Sequence, residues 1–175
     1  MSRALSNLYI AHITPEHGLG DKFDLPGGRK VQYVYFDDAV DITVGMSLCV
    51  ADDSVKDHAV TPDISGGSSI SYAATNNAIY PCAGIALCAA DISGGELYGF
   101  IQLEGRNLVA MTTDGNAAAG RLLVIGGTDG QAALAINATG GDPMDDTSYA
   151  HALCLDADTG NDLAIGDAIL FAKGV

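Results

Sequence analysis

One phrase recurs three times along the chain: three small or apolar residues, a glycine, two variable positions and an apolar stretch. Its copies are ITVGMSLCV (42–50), AAAGRLLVI (117–125) and LAIGDAILF (163–171). Glycine costs about 1 kcal/mol in a helix interior, whereas a strand accommodates it where the backbone bends or another strand comes close. Each phrase therefore predicts a β-strand that begins with a bend at its glycine.

A second repeat places Leu-Cys before an apolar residue and an aspartate. Its copies are SLCVAD (47–52), ALCAAD (86–91) and ALCLDAD (152–158), and they predict short apolar strands that stop at Asp. In the second copy, DISGG turns the chain into ELYGFIQLEG (96–105), which predicts a β-hairpin over 84–103. The cysteines are then small core residues rather than reactive groups.

Further strands are indicated by apolar runs separated by Gly- and Asp-rich turns. VQYVYF (31–36) alternates in the period of a strand, and more strands are predicted near 107–112, 121–126, 131–137 and 163–172. Segment 141–153 has Asp142 as a candidate N-cap before Pro143, which fits either one helix or a loop leading into another strand. The even spacing of short strands is typical of a sandwich or barrel.

Residues 1–30 form a different kind of segment. They carry scattered apolar residues, no sustained period and several breakers, namely Pro15, Gly18, Gly20, Pro26, Gly27 and Gly28. We therefore predict a mainly β protein with one domain, a compact antiparallel β-barrel or sandwich of residues 31–175, preceded by an extended N-terminal arm of residues 1–30. The 22 glycines of the chain suit many short strands joined by tight turns better than long helices.

The charge is strongly negative and unevenly distributed. The chain has a net charge of −14; residues 1–36 hold four basic and three acidic residues, and residues 37–175 hold four basic and nineteen acidic ones. A body this acidic repels phosphate backbones, so no nucleic-acid partner is expected. No apolar run reaches the roughly 20 residues that span a bilayer, and the first residues are too polar for a signal peptide. We expect no membrane partner and synthesis in a reducing cytoplasm.

A search for local chemistry predicts no catalytic residue, no metal site and no cofactor. RLLVIGGTDGQAALAI (121–136) lacks the Lys-Ser/Thr of a phosphate loop and is better explained as a hairpin turn. The four cysteines and four histidines are not spaced as zinc ligands. DADTGND (156–162) resembles a calcium loop but has its glycine fifth instead of sixth, which leaves an acidic turn or a weak cation site between subunits.

Segment AGIALCAADISGGELYGFIQLEG (83–105) resembles part of the capsid decoration proteins of tailed phages, also called cement or head-stabilising proteins. In that group an Ala/Gly-rich strand, an acidic glycine turn and a Tyr-Gly-hydrophobic strand follow one another. AAAGRLLV (117–124) and AIGDAILFA (164–172) resemble the strand beginnings of the same group. The resemblance covers about half of the chain, mostly after residue 40.

The resemblance implies a virion structural protein, a mostly β protein that binds the outer surface of an icosahedral head, often as a trimer and through an N-terminal arm. Its partners would be the major capsid protein of the same virion and further copies of itself, as a homotrimer. It would lie on the capsid exterior after assembly in the host cytoplasm. We expect four arm residues to contact the shell: Leu8, Tyr9, Ile10 and Phe23. The competing interpretation is that arm residues pack on the chain's own body.

Two other functions remain open. The first is a trimeric phage fibre or receptor-binding knob module, which is also glycine-rich and β, although such proteins usually carry a long shaft. The second is a small β-barrel enzyme, such as a metal-dependent hydrolase with histidine and aspartate ligands; its candidate histidines are His12, His17, His58 and His151. The lack of a local catalytic signature favours a protein that is not an enzyme.

Overall fold

The computed structural model describes residues 7–51, 56–63, 70–71, 78–79, 82–110, 119–120, 122–125, 130, 132–134, 150–155 and 165–172. Within these ranges the chain forms twelve strands and no helix. In chain order the strands are β1 (Lys22–Leu25), β2 (Arg29–Phe36), β3 (Ser47–Val50), β4 (Ala59–Thr61), β5 (Ile70–Ser71), β6 (Ala78–Ile79), β7 (Cys82–Ala86), β8 (Tyr98–Ala110), β9 (Leu122–Ile125), β10 (Ala132–Leu134), β11 (Ala152–Cys154) and β12 (Ile165–Phe171).

Five of the strands close into a barrel. The hydrogen-bonded order is β2-β4-β3-β7-β8, and β8 pairs back with β2. All of these pairs are antiparallel except β2 with β4. Closure leaves these strands without a free edge, and it confirms the prediction of a compact, mainly β fold built on a barrel.

The barrel interior is filled by apolar and aromatic side chains from all sides. One cluster includes Val34, Phe36, Leu48 and Ile101, each at most 1% exposed. Gly99 lies beside this cluster, where an added Cβ would come within 2.6 Å of Cys88 Sγ and 2.7 Å of Phe36 Cε2. Glycine is required there because the ring and the thiol already fill the space.

Strand β8 continues beyond the barrel, where the same sheet extends to four further strands. Its residues 98–104 pair with β2, whereas residues 104–110 pair with β12. Gly105 lies next to the point of change, with a φ of 92° that favours glycine. We call residues 104–110 together with β12, β11, β9 and β10 the outer sheet; its strands follow one another in that order.

The outer sheet packs one face against the barrel. Leu123, Cys154 and Leu170 are at most 2% exposed and belong to one cluster with Cys82 and Ile85 of β7. The small residues Ala132, Ala152 and Ala168 fill the space between them and are fully buried. The two layers therefore share a core as well as a strand.

Several strand predictions are confirmed and others are wrong. The predicted pairing is present as β7 and β8 and includes Ile85 with Gln102, but β7 ends at Ala86 and β8 begins at Tyr98, so ALCAAD (86–91) is not a strand and DISGG is only part of the connection. The predicted strands at 96–105 and 107–112 are a single strand, β8. The glycine bend is confirmed at Gly45 and Gly120, with φ of 90° and 83°, but is wrong at Gly166, which is buried inside β12 opposite Val109. The possible helix lies largely in 141–149 and the possible cation loop at 156–162, both outside the described residues.

Residues 7–30, predicted to be an arm, lie against the barrel in this structure. β1 forms an antiparallel hairpin with β2, in which Phe23 pairs with Val31, and β2 itself begins at Arg29. Residues 1–6 are outside the described residues. The division into an arm and a body on a larger assembly stays a prediction.

Candidate binding surface

Residues 7–20, here called the N-terminal segment, are held on the barrel by backbone hydrogen bonds. The His12 amide donates to the Tyr98 carbonyl at 2.7 Å, and the Tyr98 amide donates to the His12 carbonyl at 3.1 Å. A parallel bridge pairs Ile10 with Ala89, and the Gly20 amide donates to the Tyr33 carbonyl at 2.8 Å. The segment is therefore attached along its length rather than at one point.

His17 fixes the middle of the segment inside an aromatic cluster. Its side chain is buried, and its ring centroid lies 5.3 Å from Phe23, 5.2 Å from Tyr33 and 5.4 Å from Phe100, all edge-on. Edge-to-face contacts at these distances are favourable beyond the area that they bury. Histidine here is a structural residue of the interface between the segment and the barrel.

The Tyr33 hydroxyl is the polar partner of the same segment. Its oxygen accepts the Glu16 amide at 3.2 Å and lies 3.2 Å from His12 Nδ1. Burial raises the pKa of Tyr33 above its usual value, so the hydroxyl stays protonated and can both donate and accept. The Tyr33 hydroxyl thus holds both His12 and Glu16 in place. The directions of the neighbouring side chains in the segment follow from these two contacts.

Three side chains of the segment project into solvent. Tyr9 is 57% exposed, Ile10 51% and Ile13 66%, whereas Ala11 between them is buried in the barrel core. We call Tyr9, Ile10 and Ile13 the N-terminal apolar surface. Large apolar side chains grouped on a segment that is itself held in place are typical of a contact surface for another protein.

The residues expected to contact a shell divide into two groups. Tyr9 and Ile10 are exposed, but Leu8 and Phe23 are partly buried and pack against the cluster of Tyr33 and Phe100. Whether any of the four contacts a shell stays a prediction.

Ile13 was missed by the sequence analysis, although it follows Ile10 by three residues. Its exposure depends on how His12 is bonded to Tyr33 and Tyr98, and no sequence pattern carries that information.

One cation lies beside the N-terminal apolar surface. Arg29 Nη1 is 3.5 Å from the Tyr9 hydroxyl, and Arg29 Nε donates to Gln102 Oε1 at 3.0 Å. The buried side-chain amide of Gln102 thus directs the Arg29 guanidinium towards Tyr9. Glu16 of the same segment is half exposed and carries the opposite charge. The surface is therefore apolar with one cation and one carboxylate beside it, in a chain of net charge −14.

Ser47 and His151 are a nucleophile and a base in contact, but they do not form a usable catalytic pair. Ser47 Oγ lies 3.4 Å from His151 Nε2, and both residues are at most 2% exposed. Among the described residues His151 Nδ1 has no hydrogen-bond partner, so none of their carboxylates orients the ring as a catalytic triad requires. Burial lowers the pKa of His151 to about 4.

The four thiols are equally withdrawn from solvent. Cys49, Cys82, Cys88 and Cys154 are free and buried. Burial raises the pKa of Cys88 to about 11 and raises that of Cys82 further. The thiolate is the reactive form of cysteine, so all four act as small core residues, as the sequence predicts; three of them, Cys49, Cys88 and Cys154, lie in the Leu-Cys repeats.

Among the described residues, no three or more His, Cys, Asp and Glu side chains come close enough together to hold a metal ion. In the same part of the chain there is no helix with the length and hydropathy to cross a bilayer. That the protein is not an enzyme stays a prediction.

Comparisons with known proteins complete the description of the chain. No protein-family model matches it, and neither a curated protein nor a solved structure is significantly similar to it.

Proposed function

We propose that this chain is a capsid decoration protein, a non-catalytic virion structural protein that binds the outer surface of an icosahedral phage head and stabilises it. The observation that carries the proposal is the N-terminal apolar surface, in which Tyr9, Ile10 and Ile13 are exposed on a segment held by His12 and His17. The resemblance of residues 83–105 to decoration proteins supplies the kind of partner, the major capsid protein.

The size of this surface favours attachment through many copies. Burying a large apolar side chain completely contributes about 1.5–3 kcal/mol, and these three are already about half buried. Their contribution is then roughly 3 kcal/mol per chain, which the entropy lost on association largely offsets. Such a contact holds well only when several copies, as in a homotrimer, engage one shell together.

The charge distribution suits a molecule with one bound and one free side. The cation Arg29 lies at the N-terminal apolar surface, whereas residues 37–175 hold nineteen of the 22 acidic residues. An acidic side that faces solvent repels neighbouring particles of the same kind. The N-terminal apolar surface, with Arg29 beside it, would approach the shell without this repulsion between acidic groups.

The test begins with purified virions of the phage that encodes the chain. Mass spectrometry should find the protein in many copies per particle, and cryo-electron microscopy should place it on the head exterior. Absence from virions would refute the proposal. A few copies at the tail tip would instead support the alternative, a fibre or receptor-binding knob module.

Point substitutions then test the surface itself. Ile10→Asp and Ile13→Asp should each lower the affinity for expanded heads at least about tenfold, because each places a charge at an apolar contact. Val44→Asp is the matched control, since Val44 is 49% exposed outside the surface, and it should bind like the wild type. Deleting residues 1–30 is a poor test, because it also removes the buried His17 and the start of β2.

A further inference from the structure

Two of the four cysteines are directly opposed on neighbouring barrel strands. The register of β3 against β7 pairs Cys49 with Cys82, next to a bulge at which the register shifts. Opposed residues in an antiparallel pair have their Cα atoms about 4.5–5.5 Å apart, and their side chains share a face. A disulfide bond needs Cα atoms about 4.4–6.8 Å apart. The backbone of this pair therefore already has the spacing of a linked one.

Both thiols lie on the side of the barrel wall that faces the outer sheet. Ser47 and Cys49 point the same way along β3, and Ser47 contacts His151, the residue before β11. Cys82 belongs to the buried cluster that the outer sheet forms with β7. Cys49 is 1% and Cys82 8% exposed, so the pair is covered by the outer sheet rather than by solvent.

In the reduced chain each of these thiols contacts a backbone carbonyl. Cys49 Sγ donates to the Thr61 carbonyl at 3.3 Å, and Cys82 Sγ to the Gly84 carbonyl at 3.5 Å. A thiol is a weak donor, so losing these contacts costs little, and rotation between staggered χ1 positions redirects each sulfur. Burial raises the pKa of Cys82, and the neighbouring Cys49 adds to the effect. Such an effect requires that the two sulfurs lie near each other.

Among the described strand pairings, the other two cysteines are not opposite a cysteine. Cys88 lies in the cluster inside the barrel, together with Phe36. Cys154 of β11 is opposite Ala168. However, Cys154 shares the buried cluster of Cys82, which makes it the competing partner that a test has to distinguish.

We propose that Cys49 and Cys82 are a disulfide site, which links β3 to β7 when the chain meets a small disulfide oxidant such as oxidised glutathione. The thiolate of Cys82, the more exposed of the two, attacks one sulfur of the oxidant and releases one reduced thiol, which leaves a mixed disulfide. The Cys49 thiolate then attacks Cys82 Sγ and releases the second reduced thiol. The protein gives up two electrons and two protons, and the two released thiols carry both.

Access of the oxidant, rather than the spacing of the pair, limits the rate of this reaction. Because both thiols are buried, linkage requires local opening of the outer sheet or takes place during folding, before the outer sheet covers the pair. Surroundings outside the cell are oxidising enough to keep such a bond. The proposed place on a virion would bring the chain into such surroundings, but the linkage depends on the two thiols alone.

Oxidative refolding of the full chain tests the proposal. The reduced, unfolded chain is refolded in a mixture of oxidised and reduced glutathione, and peptide mapping by mass spectrometry identifies the linked cysteines. One intramolecular bond between Cys49 and Cys82 is expected. The linked protein should have a thermal midpoint about 5–10 °C above that of the reduced protein, because the bond closes the loop of residues 49–82. A bond between Cys82 and Cys154, or a refolded chain that keeps all four thiols, would overturn the proposal.

Alanine variants separate this pair from the other thiols. Cys49→Ala and Cys82→Ala should each abolish the linkage and the thermal shift, whereas the matched core truncations Cys88→Ala and Cys154→Ala should keep both. Circular dichroism of each reduced variant establishes that it has the β spectrum of the wild type, and the mapping of the wild type decides the pairing by itself. Ile169→Cys is the positive control for the oxidant, because Ile169 is 42% exposed and its new thiol should readily take up glutathione. Loss of the linkage in Cys154→Ala would assign it to a different pair.

Discussion

His151 Nε2 lies 3.4 Å from Ser47 Oγ, and this contact joins the barrel to the outer sheet. Ser47 begins β3, while the His151 amide donates to the Leu123 carbonyl at 2.9 Å and its carbonyl accepts from the Phe171 amide at 2.8 Å. One imidazole thus sits between three strands of the outer sheet and one of the barrel. Its state of charge affects both layers.

Acidification should destabilise the protein through His151. Burial lowers the pKa of His151 from 6.5 to about 4 in the folded chain. Between these pH values the imidazole is protonated in the unfolded chain and neutral in the folded chain. The free energy of unfolding should fall as pH drops from about 6.5 towards 4, by up to about 3 kcal/mol. Urea unfolding at a series of pH values measures this slope.

His151→Gln separates this effect from the titration of carboxylates. The variant should be less stable at neutral pH but should lose most of the slope between pH 5 and 6.5, where few carboxylates titrate. His58→Asn is the matched control and should keep the slope of the wild type. Asparagine is chosen because His58 has a φ of 54°, which asparagine tolerates. A His151→Gln slope equal to that of the wild type would assign the pH dependence to other groups.

Gly99→Ala should lower the free energy of unfolding by about 2 kcal/mol. The added methyl would meet Cys88 Sγ at 2.6 Å and Phe36 Cε2 at 2.7 Å. Cys88→Ala alone should cost about 1 kcal/mol as a small cavity. In the double variant part of the clash is gone, so its loss should be smaller than the sum of the two. Additive losses, measured by urea unfolding, would mean that Cys88 is not the obstacle.

Gln102→Leu should lower the free energy of unfolding by about 2 kcal/mol. The Gln102 side chain is fully buried; its Nε2 donates to the Glu104 carbonyl at 3.0 Å and to the Arg106 carbonyl at 3.2 Å. These bonds hold the bend at Gly105, where β8 passes from barrel to outer sheet. Arg29→Met removes the bond to Gln102 Oε1 and the exposed contact with the Tyr9 hydroxyl but leaves both bonds of Gln102 Nε2 in place, so it should cost less. A larger loss for Arg29→Met in thermal unfolding would contradict this assignment.

The native protein should not react with a thiol reagent at pH 8. All four thiols are buried, and the pKa of Cys88 is raised to about 11, so thiolate is scarce as well as inaccessible. Dithionitrobenzoate should report four thiols in denaturant and none within minutes under native conditions. Ile169→Cys provides the positive control. Prompt reaction of a wild-type thiol would contradict the burial.

Sequence signals between neighbouring residues predict the strands, but they do not predict which strands pair with each other. Alternation in 31–36 predicts β2, and the DISGG turn predicts the hairpin of β7 and β8, because both signals depend on neighbours in sequence. The pairing of β2 with β8 that closes the barrel depends on residues such as Lys30 and Glu104, which are 74 positions apart. No local period encodes that contact.

The N-terminal segment shows the same limit at the candidate surface. Breakers and scattered apolar residues predict an arm, and Tyr9 and Ile10 are exposed as such an arm requires. However, Ala11 is buried in the barrel core and His17 in the aromatic cluster between the segment and the barrel, and single buried residues produce no period. The predicted bend at Gly166 is wrong for a related reason. A buried glycine inside a strand has the same neighbouring residue types as a glycine at a bend.

Closure through β8 has a consequence for the order of events during synthesis. Ribosomes add about 5–20 residues per second, so β2 emerges seconds before the strand that must cover it. During that interval the apolar face of Val34 and Phe36 has no partner from β8, and pairings this distant in sequence form slowly, in roughly milliseconds to seconds. The nascent chain should therefore depend on chaperones until residue 110 has left the exit tunnel.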